Sequence, residues 1–309
     1  MNKIKIAYMG TPLFAKIVLE KLIENYQVDL VITQPDKEVG RKRLLTPCPV
    51  KKLALENNIE VFQPLKIRND YQKIIDLQPD LIITCAYGQI VPKEVLECPK
   101  YGCINVHASL LPKLRGAAPI HHALINGEKE TGITIMYMDE ALDTGNMISK
   151  KSLKIEDEDN VETLSLKLAN LGAQLLIETI PSILSQTNES IKQDDSLSTY
   201  ANLIKREDEL INFNDTGKNI INKIRGTYPM AYFKLDDAET KVLEARFVED
   251  NVTEPSCITI IDKNNLAISC QDGLIYLKKI KPFGKKEMNI KDYLNGINKE
   301  SLKNKKVNR

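Results

Sequence analysis

The first half of the chain alternates short apolar runs with helical stretches, and this alternation restricts its fold more than any other feature. Lys3–Met9 (KIKIAYM), Asp29–Thr33 (DLVIT) and Asp80–Ala86 (DLIITCA) are short, nearly continuous apolar runs rich in Ile and Val. Between them, Leu13–Ile23 carries apolar residues at helical spacing after the break at Gly10-Thr11-Pro12, and Tyr71–Leu77 is helical up to Pro79. Such strands between helices predict a parallel sheet covered on both faces. Cys103–Val106 and Gly132–Met138 read as further strands, and Val161–Leu184 as a long closing helix.

The texture changes after about Ser185. Gln186–Ser198 is polar, as a linker is, and beyond a helical pattern near Thr216–Ile224 come short strand-like runs. These are Tyr232–Leu235, Val242–Val248, Cys257–Ile261, Leu266–Cys270 and Leu274–Ile280, punctuated by Asp, Asn and Gly, which predicts a small β-barrel or sandwich. Two domains also suit a chain of 309 residues, since single cores stop growing near roughly 250–300 residues.

Lys and Arg number 43 and Asp and Glu 42, so the net charge of +1 excludes a polycation that coats nucleic acid by bulk charge. From Lys278 to Arg309, however, eleven basic residues face three acidic ones, the pattern of a solvated, frayed terminus. No apolar run reaches the ~18 residues of a membrane span. Met1–Ile6 leads directly into a strand without a signal-peptide pattern, so a cytoplasmic protein is expected. The scattered cysteines (Cys48, Cys85, Cys98, Cys103, Cys257 and Cys270) form no C-x-x-C pair, which predicts reduced thiols and no structural metal.

All three histidines, His107, His121 and His122, fall within sixteen residues. On a strand, Asn105 and His107 share one face amid apolar neighbours. Ligand crevices in open α/β sheets lie at the carboxyl ends of strands. There, an amide N–H stabilises an oxyanion and an imidazole moves a proton. A carboxylate that orients His107 is available after the next strand, where Asp139, Glu140 and Asp143 all qualify by spacing.

Asn105-x-His107, Ser109-Leu110-Leu111-Pro112, Arg115-Gly116 and Asp143-x-Gly145 together resemble the signature of the folate-dependent formyltransferases. The wider match is to the branch that acts on charged initiator tRNA. It includes Met9-Gly10-Thr11-Pro12-x-Phe14-Ala15, Gln34-Pro35-Asp36, Pro47-x-Pro49-Val50-Lys51, Phe62-Gln63-Pro64, Ala86-Tyr87-Gly88, Leu110–Ile120, Met138–Met147, Thr199-Tyr200-Ala201 and Lys205-x-Glu207-Asp208. It weakens in the last third, and Leu114 and Met230 stand in segments where the family commonly has aromatics.

The resemblance implies an α/β fold, with a Rossmann-like, mostly parallel sheet flanked by helices and a smaller C-terminal β-barrel (OB-like) domain. It implies a catalytic domain at 1–189, a linker at 190–208 and a tRNA-binding barrel at 209–309. The donor would be 10-formyltetrahydrofolate, the acceptor the α-amino group of methionine on initiator tRNA, with no metal. The catalytic trio would be Asn105, His107 and Asp143, and the folate contacts Ser109, Leu110, Leu111 and Pro112. Tyr87–Pro92 would wall the pterin pocket. The loop Asp36–Lys52 holds six basic residues against two acids, with Gly40 as a possible hinge. By the same resemblance it enters the tRNA acceptor end through Arg41, Lys42 and Arg43, with Arg41 foremost. A monomer is expected. Competing readings are a formyltransferase acting on an amino sugar or nucleotide precursor, a hydrolase releasing formate, and a non-catalytic RNA-binding protein. The last has no use for Asn105, His107 and Asp143 as a set.

Overall fold

The computed structural model describes residues 4–40 and 42–308. In chain order the elements up to the first site are β1 (Ile6–Gly10), α1 (Leu13–Asn25), β2 (Leu30–Ile32), β3 (Lys37–Val39), β4 (Leu44–Thr46), α2 (Pro49–Glu56), β5 (Glu60–Phe62), α3 (Gln72–Leu77), β6 (Leu81–Cys85), α4 (Lys93–Leu96) and β7 (Cys103–His107). They are followed by α5 (Pro119–Ile125), β8 (Glu130–Tyr137), β9 (Met147–Lys154) and α6 (Val161–Leu184). The remainder comprises α7 (Gly217–Gly226), β10 (Tyr232–Leu235), β11 (Ala238–Glu249), β12 (Ile258–Ile261), β13 (Leu266–Cys270), β14 (Gly273–Pro282), β15 (Met288–Asn289) and α8 (Ile290–Asn295). Backbone packing separates two units. One is Met1–Pro119 with Glu130–Lys154 and Ser165–Asn202; the other is Ile120–Lys129 with Ile155–Leu164 and Leu203–Arg309.

The first unit is built on a seven-stranded sheet in the order β5-β2-β1-β6-β7-β8-β9. The pairs from β5 to β7 are parallel, while β8 and β9 add antiparallel pairs at one side. Every residue of β1 and β6 is buried, as strands covered on both faces require. Fully burying each of Leu81, Ile82 and Ile83 contributes about 1.5–3 kcal/mol before entropy is subtracted. α1 buries Ala15, Val18, Leu19 and Leu22, the spacing of one helical face.

The chain runs outward through β1, β2 and β5 and then returns to β6 on the other side of β1. That reversal opens a crevice beyond the carboxyl ends of β1 and β6. On β7 the side chains alternate. Val106 points to α6, where a Cβ on Gly172 would lie 3.0 Å from it, and Asn105 and His107 take the opposite face.

The second unit is a six-stranded antiparallel sheet, β10-β11-β14-β13-β12, with β15 paired to β14. Its core includes Phe213 and Phe233, packed edge to face at 6.0 Å, with Ile220, Ile268 and Ile275 around them. The path is that of a half-barrel, open between β10 and β12. The C-terminal segment lies in this opening. Lys306 bridges Cys257, the Val307 amide donates to Ser256, and the Asn308 amide donates to Lys234 in β10. Leu302 and Val307 are buried. The frayed terminus expected from charge is therefore corrected: its few apolar residues anchor it, and Lys305 and Lys306 pair with Asp236 and Glu254. Among the described residues, no helix is long and apolar enough to cross a membrane.

Candidate active site

His107, which shares a strand face with Asn105, is brought beside Asp143. The His107 side chain is 5% exposed and that of Asp143 15%. His107 Nε2 lies 3.0 Å from the Leu114 carbonyl oxygen. A carbonyl only accepts, so Nε2 carries a proton. Nδ1 is 3.6 Å from Asp143 Oδ2, just beyond a hydrogen bond, and such distances commonly shorten when substrate binds. The buried Thr84 hydroxyl on β6 is 3.0 Å from Asn105 Oδ1. A hydrogen bond there leaves the Asn105 N–H pair to serve a ligand.

The structure separates the three acids that spacing left equivalent. Asp139 accepts from the Thr144 hydroxyl and the Ala141 amide, and Glu140 pairs with Lys93 at 3.2 Å. Asp143 alone of the three faces His107. Its backbone is left-handed, with φ +54°, and its Oδ2 accepts the Gly116 amide at 2.8 Å. Gly145 is required by space: an added Cβ would lie 1.9 Å from the Tyr137 carbonyl oxygen.

Ser109–Pro112 leaves β7 and turns back so that Leu114 reaches His107. The Ser109 hydroxyl is occupied by the Lys113 carbonyl at 2.6 Å. The Thr134 hydroxyl donates to the Ser109 carbonyl at 2.7 Å and accepts the Leu111 amide at 3.1 Å. Ser109 and Leu111 are buried, while Leu110 and Pro112 are half-buried. Leu114 acts at the site through its carbonyl, which any side chain would provide. In the crevice beyond β6, the Tyr87 carbonyl accepts from the Thr11 hydroxyl and the Gln34 amide. The amides of Gly88, Gln89, Ile90 and Val91 have no partner among the described residues.

Lys42 and Arg43 lie in the turn of the exposed hairpin formed by β3 and β4. Arg41 lies outside the described residues. The hairpin's base is clamped. Lys51 Nζ sits 2.7 Å from Asp36 and 2.6 Å from Gln63 Oε1, and Gln63 Nε2 donates to Asp36 Oδ1 at 2.9 Å. Hydrogen bonds from Lys51 and then Gln63 hold the Asp36 carboxyl below its ordinary range. His121 and His122 are on α5 and belong to the second unit, whereas the trio belongs to the first. His121 Nδ1 is 2.7 Å from the Gly226 carbonyl oxygen.

Two side chains at the site were not legible in the sequence. Thr84 sits in an apolar strand, and Gln193 in a polar stretch with the composition of a linker. Gln193 is 4% exposed and contacts the Asp143 loop.

Comparison with known proteins identifies the family of the chain. The formyl transferase family matches residues 2–180, and the formyl transferase C-terminal domain family matches residues 203–298. A methionyl-tRNA formyltransferase of Staphylococcus epidermidis (strain ATCC 12228 / FDA PCI 1200) is 48% identical over 303 residues, 96% of this chain and 97% of that protein. The chain belongs to the methionyl-tRNA formyltransferase family. Another family member, from Staphylococcus aureus strain MW2, is 49% identical over 94% of this chain and 96% of its own. The fold extends to an N-formyltransferase of Helicobacter canadensis solved with folinic acid and dTDP-3-aminofucose. That protein superposes with a TM-score of 0.69 at 23% identity, over 91% of this chain and 100% of its own.

Proposed function

We propose that this chain transfers a formyl group from 10-formyltetrahydrofolate to the α-amino group of methionine on charged initiator tRNA. The observation that carries the reading is the Asp143 carboxylate 3.6 Å from His107, which shares a strand face with Asn105, in a chain nearly half identical to family members along almost all its length.

The chemistry suits these groups. An α-amino group has a reference pKa of about 7.7–8.0, so a neutral fraction is present near pH 7 and no activated Ser or Cys is needed. The amine nitrogen bonds to the formyl carbon, and the carbonyl electron pair moves onto oxygen. The Asn105 N–H pair stabilises that oxyanion, joined by the His107 ring once its Nδ1 carries a proton. Collapse breaks the bond from the formyl carbon to the folate nitrogen. The amine loses one proton and the folate nitrogen gains one, so the exchange balances. Asp143 holds His107 and assists the amine's deprotonation; His107 or a water relays the proton to the leaving nitrogen.

The donor is held by Ser109, Leu110, Leu111 and Pro112. The unpartnered amides from Gly88 to Val91 offer backbone hydrogen bonds to a flat heterocycle. Arg41, Lys42 and Arg43 meet the acceptor end of the tRNA, and residues 209–309 contact its stem through phosphates. The chain works as a monomer in the cytoplasm, where initiation takes place; all three catalytic side chains come from one polypeptide.

The acceptor is tested by competition. Purified protein and donor are offered methionine-charged initiator tRNA, charged elongator tRNA, an amino-sugar nucleotide and water. Formyl-methionine on initiator tRNA supports the reading. Formate release without it, or formylation of the sugar nucleotide instead, overturns it.

A further inference from the structure

The side chain of Gln193 makes four hydrogen bonds. Its Oε1 accepts from Arg115 Nε at 3.0 Å and Nη2 at 2.8 Å, and its Nε2 donates to the carbonyls of Asp143 and Gly145, each at 2.8 Å. Two lone pairs and two protons are thus all engaged. The amide orientation is fixed, since a guanidinium only donates and carbonyls only accept. Gln193 is 4% exposed and Arg115 2%, so losing any of these partners strands a buried polar group. Arg115 is held from its other side by Asp195 at 2.8 Å.

The backbone held in this way carries the reacting carboxylate. Asp143 has φ +54°, a conformation that side chains other than glycine adopt only when their surroundings enforce it. Its carboxylate is caught by the Gly116 amide, its own carbonyl by Gln193, and Gly145 by the same amide group. Residues 115–116, 143–145 and 193–195 are distant in sequence, and Gln193 joins them.

We propose that Gln193 is a positioning residue for Asp143, and that its side-chain amide sets the distance between the Asp143 carboxylate and the His107 ring. The inference rests on the formyl-transfer reading given above. Gln193 reaches the reacting groups through the Asp143 loop, so its loss lowers turnover and leaves substrate affinity intact.

Gln193→Glu isolates this role. It keeps the length and the acceptor for Arg115, and removes both N–H donors to the Asp143 loop. Steady-state formylation of methionyl initiator tRNA is measured for the unaltered chain, Gln193→Glu, Asp143→Ala and the double variant, each below its measured melting transition. A misplacement of about 1 Å costs on the order of 100-fold. Gln193→Glu is therefore expected to lower kcat on the order of 10- to 100-fold, with KM for both substrates within about twofold. In the Asp143→Ala background the same change should alter kcat by less than about twofold. Unchanged kcat, a loss confined to KM, or an equal loss in both backgrounds overturns the proposal. If Gln193→Glu does not fold, Gln193→Met replaces it under the same criteria. Absence of transfer by the unaltered chain is a separate result, and overturns the formyl-transfer reading itself.

Discussion

Nδ1 of His107 stands 3.6 Å from Oδ2 of Asp143, and the opposite ring nitrogen is tied to the Leu114 carbonyl at 3.0 Å. The ring is thereby locked with Nε2 protonated. Nδ1 is left as the nitrogen that takes up or releases a proton, with a carboxylate beside it to balance the charge.

Asp143→Asn tests that balance. Asparagine retains an oxygen for the Gly116 amide, and so the loop, but removes the charge facing His107. General acid–base assistance is worth about 10²–10⁴-fold. Turnover is expected to fall within that range, with KM for both substrates little changed. A variant with unaltered kcat would show that the carboxylate has no part in proton transfer.

Gly145→Ala probes the path of the same loop. Its Cβ would lie 1.9 Å from the Tyr137 carbonyl oxygen, so the backbone must move. The expected loss is about 1–3 kcal/mol of stability, read as a lower melting temperature, accompanied by lower kcat from a displaced Asp143. Wild-type melting and turnover would contradict the close approach.

The clamp beneath the basic hairpin has a pH signature. Lys51 and Gln63 depress the folded-state pKa of Asp36. Its stabilisation is therefore fully present above the unfolded value of about 3.9, and is lost as pH falls through the lower folded value. The urea midpoint of the wild type should exceed that of Asp36→Asn by a constant margin from pH 7 to about pH 5, and the margin should shrink below about pH 4. A margin that grows on acidification would reverse the assignment.

Lys42 and Arg43 are exposed on the hairpin turn. Replacing either with Ala should raise KM for tRNA and leave KM for the formyl donor alone. Each lost phosphate contact should reduce the slope of log affinity against log salt by about 1. Equal slopes for wild type and both variants would place the tRNA elsewhere.

Much of this architecture is written in local patterns, and the exceptions have physical causes. The helix at Val161–Leu184 and the strands Tyr232–Leu235 and Leu266–Cys270 have the bounds their periodicity predicts. Asn105 and His107 share a face because strand side chains alternate. β9 escaped notice because it is an edge strand whose outward positions include Lys150 and Lys154, so no continuous apolar run marks it. β3 and β4 are exposed and bury little, and their sequence reads as a charged loop. The choice of Asp143 over Asp139 and Glu140 depends on a left-handed turn and on Gly116, neither of which leaves a trace in spacing. Gln193 is a buried amide in a polar stretch, explained by the arrival of Arg115 on one side and the Asp143 loop on the other.

The most direct measurement compares wild type and His107→Ala in forming formyl-methionine on initiator tRNA from 10-formyltetrahydrofolate. Removing a group that stabilises the developing oxyanion costs about 10²–10³-fold in kcat. The account predicts transfer by the wild type and a loss of at least that order in the variant, with melting temperature and tRNA binding retained. Equal transfer by both proteins would contradict the assignment of His107 and the site built around it.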